Sequence, residues 1–330
     1  MAAAADLSWR PIGPADVAQW AVLLAAIEAV ERQDEHYSEQ DLLEEFSYPY
    51  ADFARGSVAA YDGGTMVGYC VLTAQSTADP VHEMRQQGGV HPAYRSRGLG
   101  RQLLEWAETA ALPLHKERYP GRPLTLSGSC ISRSAGTVDL YAAHGYRQVR
   151  WFHGMTKDLI AALPDVPAPA GVQIVGFTPA RSQDALLVFN EAFRDHWGSI
   201  ENNAEQWAYH TGEQAFRPVL SFLAYADDEP LGVIICYEYD AATEATGIRD
   251  LHISLIGTRR AGRRRGIASA LLFRAFAAAR AAGFTTASLG VDADSPTGAL
   301  GLYERAGFTV TDTWIAQQKV VLAAEPADPR

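Results

Sequence analysis

Two stretches of this chain repeat one pattern of side chains that could do chemistry. Gly89-Val-His-Pro-Ala-Tyr-Arg-Ser-Arg-Gly-Leu-Gly100 lies over Gly257-Thr-Arg-Arg-Ala-Gly-Arg-Arg-Arg-Gly-Ile-Ala268 without a gap, and both contain R-x-x-G-x-[GA]. A strand-like run precedes each copy and a helix-like run follows it. A helix N-terminus offers unpaired N–H groups and the positive end of a dipole, so this context suits a pyrophosphate. Small residues at Gly98, Gly100, Gly266 and Ala268 let phosphate oxygens approach the backbone, while Arg95, Arg97, Arg263 and Arg265 add charge beside them. The competing readings are a solvated basic patch, or nucleic-acid binding by Arg259–Arg265. A second pattern follows each loop. Leu302-Tyr-Glu-Arg-Ala-Gly-Phe308 puts Tyr303 37 residues past Gly266, and Leu140-Tyr-Ala-Ala-His-Gly-Tyr146 puts Tyr141 43 residues past Gly98.

The elements that must position these residues also occur twice. Periodicity and turn residues predict, in the first half, a strand over 8–12, helices from Pro14 and from Ser38 (its N-cap), and a hairpin of 57–61 with 66–72. A strand over 84–90, a helix over 98–112, a strand over 123–126, a helix ending near Gly145 and a final strand pair complete it. The second half predicts a strand over 172–177, helices over 181–196 and 203–211, a hairpin of 222–226 with 231–238, and a strand over 250–256. A helix over 266–282, a strand over 286–291, a helix over 296–306 and a strand over 309–321 follow. This order implies an α/β fold of two tandem domains, each a mixed, mostly antiparallel sheet with helices on both faces. Leu163–Gly171 holds three prolines and reads as a semi-rigid linker, which places the domains at 1–162 and 172–330.

Composition excludes several classes. Hydrophobic residues make up 48% and charged residues 20%, enough apolar material for two cores. The net charge of −11 divides almost evenly between the halves, so neither is a basic nucleic-acid module. Cys70, Cys130 and Cys236 are too far apart for a disulfide framework or a zinc site, and no metal is expected. With no secretory leader and no apolar run of membrane length, a cytoplasmic protein without membrane attachment is expected, as monomer or homodimer.

The V-H-P-x-Y-R-x-R-G-L-G loop followed by L-Y-x-x-x-G-[FY] resembles the GCN5-related N-acetyltransferase (GNAT) superfamily, twice over and across nearly the whole chain. The doubled layout is similar to that of mycothiol synthases and other tandem GNAT proteins of actinobacteria. The resemblance implies an acyltransferase that uses acetyl-CoA or another acyl-CoA and acts on a small amine in a ternary complex. It assigns the pyrophosphate to Arg263, Arg264, Arg265, Gly266, Ile267 and Ala268, and in the first half to Arg95, Ser96, Arg97, Gly98, Leu99 and Gly100. Pantetheine and thioester would lie along Ile256, Gly257 and Thr258, or along Gly88, Gly89 and Val90. Where many family members carry an asparagine, this chain has Ser295-Pro296, with Ser295 expected both at the cofactor and as a helix N-cap. Tyr303 would protonate the departing thiolate.

Strand alternation then discriminates between the halves. Asp250, His252 and Ser254 are expected on one face of their strand and Leu251, Ile253 and Leu255 on the other. In the ungapped register the first half offers His82, Met84 and Gln86, with Met84 where His252 stands, so the second half is the better equipped. An attacking amine must lose its ammonium proton; His252, Asp250 or Glu238 could take it, and a structural role for His252 in the sheet is the alternative. Glu191 and Asp195 could orient a cationic amine, and Trp197 and Trp207 could wall its pocket. The rival class is a non-catalytic acyl-CoA-binding protein built on two degenerate copies.

Overall fold

The computed structural model describes residues 7–194, 196–295 and 298–323. The chain sorts into two units: described residues up to Arg150 with those from Trp314 onward, and Trp151–Thr313.

The first unit contains β1 (Ser8–Arg10), α1 (Val17–Glu31), α2 (Glu39–Glu44), α3 (Phe53–Gly56), β2 (Ser57–Asp62), β3 (Thr65–Ala74), β4 (His82–Val90), α4 (Leu99–Arg118), β5 (Leu124–Ile131), α5 (Ala135–Ala143) and the start of β6 (Arg147–Asp158). Its sheet runs β1-β2-β3-β4-β5, antiparallel except for the parallel β4–β5 pair. Ser38 caps α2 as its sequence predicts, accepting the Asp41 N–H. α1 covers one face of the sheet with Trp20, Leu23, Leu24 and Ile27, and α4 covers the other with Leu103, Leu104, Ala107 and Ala111.

The second unit contains the rest of β6, β7 (Gln173–Gly176), α6 (Ser182–Phe193), α7 (Ala204–Gly212), β8 (Phe222–Ala226), β9 (Glu229–Tyr237), α8 (Asp240–Thr246), β10 (Asp250–Thr258), α9 (Ile267–Ala281), β11 (Thr286–Asp292), α10 (Ala299–Ala306) and the first residues of β12 (Thr309–Leu322). Its sheet runs β7-β8-β9-β10-β11-β6, with β10–β11 the parallel pair. The β8–β9 hairpin turns through Asp227 and Asp228, both at positive φ as a tight two-residue turn demands. Fully buried Leu271, Leu272, Ala275 and Phe276 seat α9 on one sheet face, each large side chain contributing roughly 1.5–3 kcal/mol. Among the described residues no helix is long and apolar enough to cross a membrane.

The partition in space differs from the linear division at 163–171. From Trp151 on, β6 pairs with β11 in the second unit, and the residues of β12 from Trp314 on pair with β5 in the first. The proline-rich segment therefore joins two strands of one unit. It lies against Ala270, Phe273 and Ala277 on the outer side of α9.

Candidate functional site

The parallel pair in each unit opens midway. β10 is paired with β11 only from Asp250 to Ile253, and β4 with β5 only from His82 to Arg85. Beyond those points the facing flanks of Ser254–Thr258 and of Gly290–Asp292 have no strand partner in the splay between them. The buried hydroxyl of Thr258 has no hydrogen-bond partner.

Both loops after the splay fold alike. Arg264 (φ 62°) and Gly266 (φ 81°) are left-handed on either side of Arg265, as Ser96 (φ 59°) and Gly98 (φ 86°) are on either side of Arg97. This alternation turns successive N–H groups toward one concavity, a geometry that binds anions. The first helical bond runs from Ala270 N–H to Gly266 O, so the N–H groups of Ile267, Ala268 and Ser269 have no carbonyl within the helix. In α4 the same bond runs from Gln102 to Gly98, leaving Leu99, Gly100 and Arg101 in that state. The cradle thus fits a pyrophosphate by its backbone, and the arginines divide the work. Arg264 and Arg265 are exposed beside it. Arg263 instead donates to the carbonyls of Thr258 and Ala192, and Arg95 to Val90 O and the Glu31 carboxylate, so these two brace the loop against strand and helix. Arg97 turns back to Ala93 O. Gly257 and Gly89 are small for another reason. A Cβ would collide with Ala192 and Phe193 of α6 or with Ile27 of α1, where each helix crosses the strand end.

A bulge distinguishes the two strands. β4 pairs with β3 without interruption, whereas β10 slips by one residue against β9 at Ser254. The slip corrects the expected alternation: Leu251 and Ile253 pack toward α9, but Leu255 packs with Phe193 and Tyr237 on the opposite face. It also corrects the expected equivalence of Met84 with His252. Counted through the pairing, Tyr237–His252–Ser288 corresponds to Thr73–Arg85–Ser127, and Asp250 corresponds to Glu83. His82 lies at the start of β4, fully buried against His115, away from the splay.

On the second unit's β10, Asp250 accepts hydrogen bonds from Thr286 Oγ1 (2.6 Å) and Ser288 Oγ (2.5 Å), and Ser288 Oγ lies 3.0 Å from His252 Nδ1. Burial pushes the His252 pKa below its ordinary value, with Asp250 opposing, so the imidazole is neutral at neutral pH. The ring of Tyr239 lies 5.7 Å away. Tyr303, on α10, is buried, and desolvation raises its pKa to about 12, so it carries its proton. In the first unit the Tyr141 hydroxyl sits on Gly128, whereas Tyr303 shares its core cluster with Leu289 of β11.

Other expected residues are engaged elsewhere. Glu238 is clasped by Arg249 (2.7 Å) and Arg217 (2.9 Å) beside the start of β10, at the opposite end from the splay. Burial works to raise its pKa, but the two guanidiniums hold it below the usual carboxylate range, unfit for a base. Glu191 is paired with Arg259 (2.6 Å) and anchors α6 to the loop. Trp207 is core, with its Nε1–H on Ser182. Trp197 lies 6.1 Å from Phe152, which pairs with Asp292 at the end of β11. Asp195 lies outside the described residues, as do Pro296 and Thr297. Gly298, not Ser295, is the N-cap of α10; the Ser295 N–H donates to Asp292 O. Cys70, Cys130 and Cys236 are buried, and desolvation raises each thiol, Cys70 to about 12.

Sequence reasoning did not single out Ser288, Thr286 or Tyr239. The signal for the first two was present, as polar residues alternating with Ala287 and Leu289 along an otherwise buried strand.

Comparison with known proteins places this geometry in context. Residues 185–308 match the model of the acetyltransferase (GNAT) family, and residues 54–148 match that of a GNAT acetyltransferase domain. A protein of Streptomyces avermitilis named mycothiol acetyltransferase is 30% identical over 76% of this chain and 75% of its own length. The crystal structure of a GCN5-related N-acetyltransferase from Sphaerobacter thermophilus is 26% identical, covers 97% of both chains and superposes with a TM-score of 0.76. A tandem GNAT protein from the clavulanic acid biosynthesis pathway, at 17% identity, covers 98% of this chain and all of its own with a TM-score of 0.73, a likeness of fold.

Proposed function

The chain belongs to the GNAT family of acetyltransferases, and from that premise we propose that its second unit transfers an acetyl group from acetyl-CoA directly to a small amine. One observation carries the reading: β10 parts from β11 after Ile253, bulges at Ser254 and runs into the Arg264–Gly266 cradle, so an open strand flank leads straight to an anion site. When bound, acetyl-CoA supplies the activated thioester. The N–H groups of Ile267, Ala268 and Ser269 and the loop hold the pyrophosphate, with Arg264 and Arg265 adding charge. The open flank of Ser254–Thr258 accepts an extended arm as an added strand, and its N–H groups polarise a carbonyl laid along it. His252 takes the ammonium proton from the acceptor. Tyr303 gives its proton to the departing sulfur. Base and acid are thus set apart by their surroundings, a half-buried neutral imidazole and a buried neutral phenol.

The first unit keeps the backbone cradle but carries Arg85 at the position of the base. A guanidinium does not accept a proton at any working pH, so this unit binds an acyl-CoA or shapes the fold without turnover.

A narrower reading is favoured by the name of the Streptomyces avermitilis relative: an acceptor that presents a cysteinyl amine, as in mycothiol synthesis. Calorimetric titration with acetyl-CoA, followed by turnover assays on glucosamine, cysteamine and the cysteinyl pseudodisaccharide, tests both. Saturable binding and acetylation of any of the three are expected, with strong preference for the third under the narrower reading. Well-folded protein that binds no acetyl-CoA overturns the proposal.

A further inference from the structure

The His252 imidazole has two chemically distinct nitrogens, and only the one that lacks a proton can act as a base. Its surroundings fix which one that is. The Asp250 carboxylate only accepts, and it receives Thr286 Oγ1–H at 2.6 Å and Ser288 Oγ–H at 2.5 Å. Ser288 has a single hydroxyl proton, and this bond uses it. The 3.0 Å contact between Ser288 Oγ and His252 Nδ1 must then run the other way, with Nδ1–H donating to the serine oxygen. Nε2 is left with the free lone pair.

We propose that Ser288 is a positioning residue that holds His252 in the Nδ1–H tautomer and links it to Asp250, so that Nε2 faces the reaction as the base. The inference rests on the reading of His252 as base given above. The fold supports it with an internal comparison. Ser127, the counterpart of Ser288, donates to Glu83, the counterpart of Asp250, at 2.7 Å. The serine–carboxylate half of the device is thus built twice, but only the second unit completes it with an imidazole. The ring is placed for this by the parallel register, which sets His252 beside Ser288 and Asp250 beside Thr286 just before β10 and β11 part. When Nε2 gains a proton, the imidazolium shares Nδ1–H with an oxygen already polarised toward a carboxylate, which stabilises the charged ring. The titratable and charged groups facing His252 are Asp250, reached through Ser288, and the phenols of Tyr237 opposite it on β9 and Tyr239 beyond.

Long-range proton–nitrogen NMR of the full chain, with labelled histidine and His252 assigned by its absence in His252→Gln, reads the tautomer without any acceptor. A protonated Nδ1 and a bare Nε2 are expected. Ser288→Ala should release the tautomer toward Nε2–H and move the His252 titration to lower pH, because the imidazolium loses the oxygen that takes its proton. Ser288→Thr should restore both. Should Ser288→Ala not fold, Asp250→Asn serves instead: it frees the serine proton to point at Nδ1 and should invert the tautomer. A wild-type Nε2–H ring, or a tautomer and titration unmoved by these changes, overturns the proposal. Turnover separates it from the underlying reading. With acetyl-CoA and the best acceptor of the panel above, Ser288→Ala should lose about tenfold to a hundredfold, at or below the low end of the ~10²–10⁴-fold range of general-base catalysis, because the base itself remains. His252→Gln without activity beside fully active Ser288→Ala overturns the relay and spares the base; His252→Gln with full activity overturns the base.

Discussion

Arg85 stands in the first unit where His252 stands in the second: each is paired across its sheet with a residue of the preceding strand (Thr73 or Tyr237) and beside a serine of the following one (Ser127 or Ser288). One is a guanidinium and the other an imidazole that burial keeps neutral at neutral pH. The two units share a scaffold, and under the proposed mechanism this side chain separates their chemistry.

Replacing His252 with alanine should lower turnover by about 10²–10⁴ while leaving acetyl-CoA affinity near that of the parent. Arg85→Ala should leave turnover unchanged. Steady-state kinetics beside calorimetry checks both, and equal losses in the two variants would place the chemistry elsewhere.

The pH profile follows from two shifts of opposite sense. The base works when neutral, and burial lowers the His252 pKa, so turnover should fall only as pH drops through a value below the ordinary histidine range near 6.5. The acid works when protonated, and Tyr303 keeps its proton until about 12. A plateau across neutral pH and well into the alkaline range is expected. An acid limb centred above 7 would identify a different base.

Tyr303→Phe should cost about 10²–10⁴-fold in turnover, with binding of acetyl-CoA intact, because the ring still packs beside Phe308 and only the proton is lost. A matching loss of affinity or of thermal stability would mark the residue as packing alone.

Much of this arrangement was legible in the sequence, and the exceptions share a cause. Strands such as Phe222–Ala226 and the helix starts after Gly98 and Gly266 are local events, set by alternation and by small residues at helix entry. The bulge at Ser254 is not local. It exists only relative to β9, and a single inserted residue turned the expected partner of His252 from Met84 into Arg85. The exchange of strands escaped for the same reason: nothing within Trp314–Leu322 records that its partner is β5. Glu238 looked like a candidate base and Glu191 like an acceptor ligand because their arginines, Arg249, Arg217 and Arg259, are distant in sequence. The helix expected from Pro296 begins at Ala299, after a turn that Asp292 shares with Ser295.

The cradle can be tested at its glycines. Gly266 (φ 81°) and Gly98 (φ 86°) hold left-handed backbone that costs a residue with a Cβ roughly 1–2 kcal/mol. Gly266→Ala should weaken acetyl-CoA binding and reduce turnover together, since the N–H groups of Ile267 and Ala268 no longer converge. Gly98→Ala should cost similar stability and leave turnover intact. Equal kinetic damage from both would mean that the first unit also takes part in the reaction.

The Glu238 carboxylate is nearly inaccessible between Arg217 and Arg249. Burial opposes its charge, but the hydrogen bonds from the two guanidiniums prevail and its folded-state pKa is lowered. A lowered pKa means that the unfolded chain binds the proton more readily. The pair therefore stabilises fully above the unfolded value, about 4.3, and its contribution drains away as pH falls through the lower folded value. Breaking a buried pair costs about 3–5 kcal/mol, but Arg217 and Arg249 are themselves partly exposed and solvent takes up part of that. Glu238→Gln should thus lose about 2 kcal/mol in urea denaturation at pH 7, with the gap to the parent narrowing below pH 4 and acetyl-CoA binding unaffected. A gap that persists unchanged at low pH would assign the loss to packing, and lost turnover in a stable variant would return Glu238 to the list of bases.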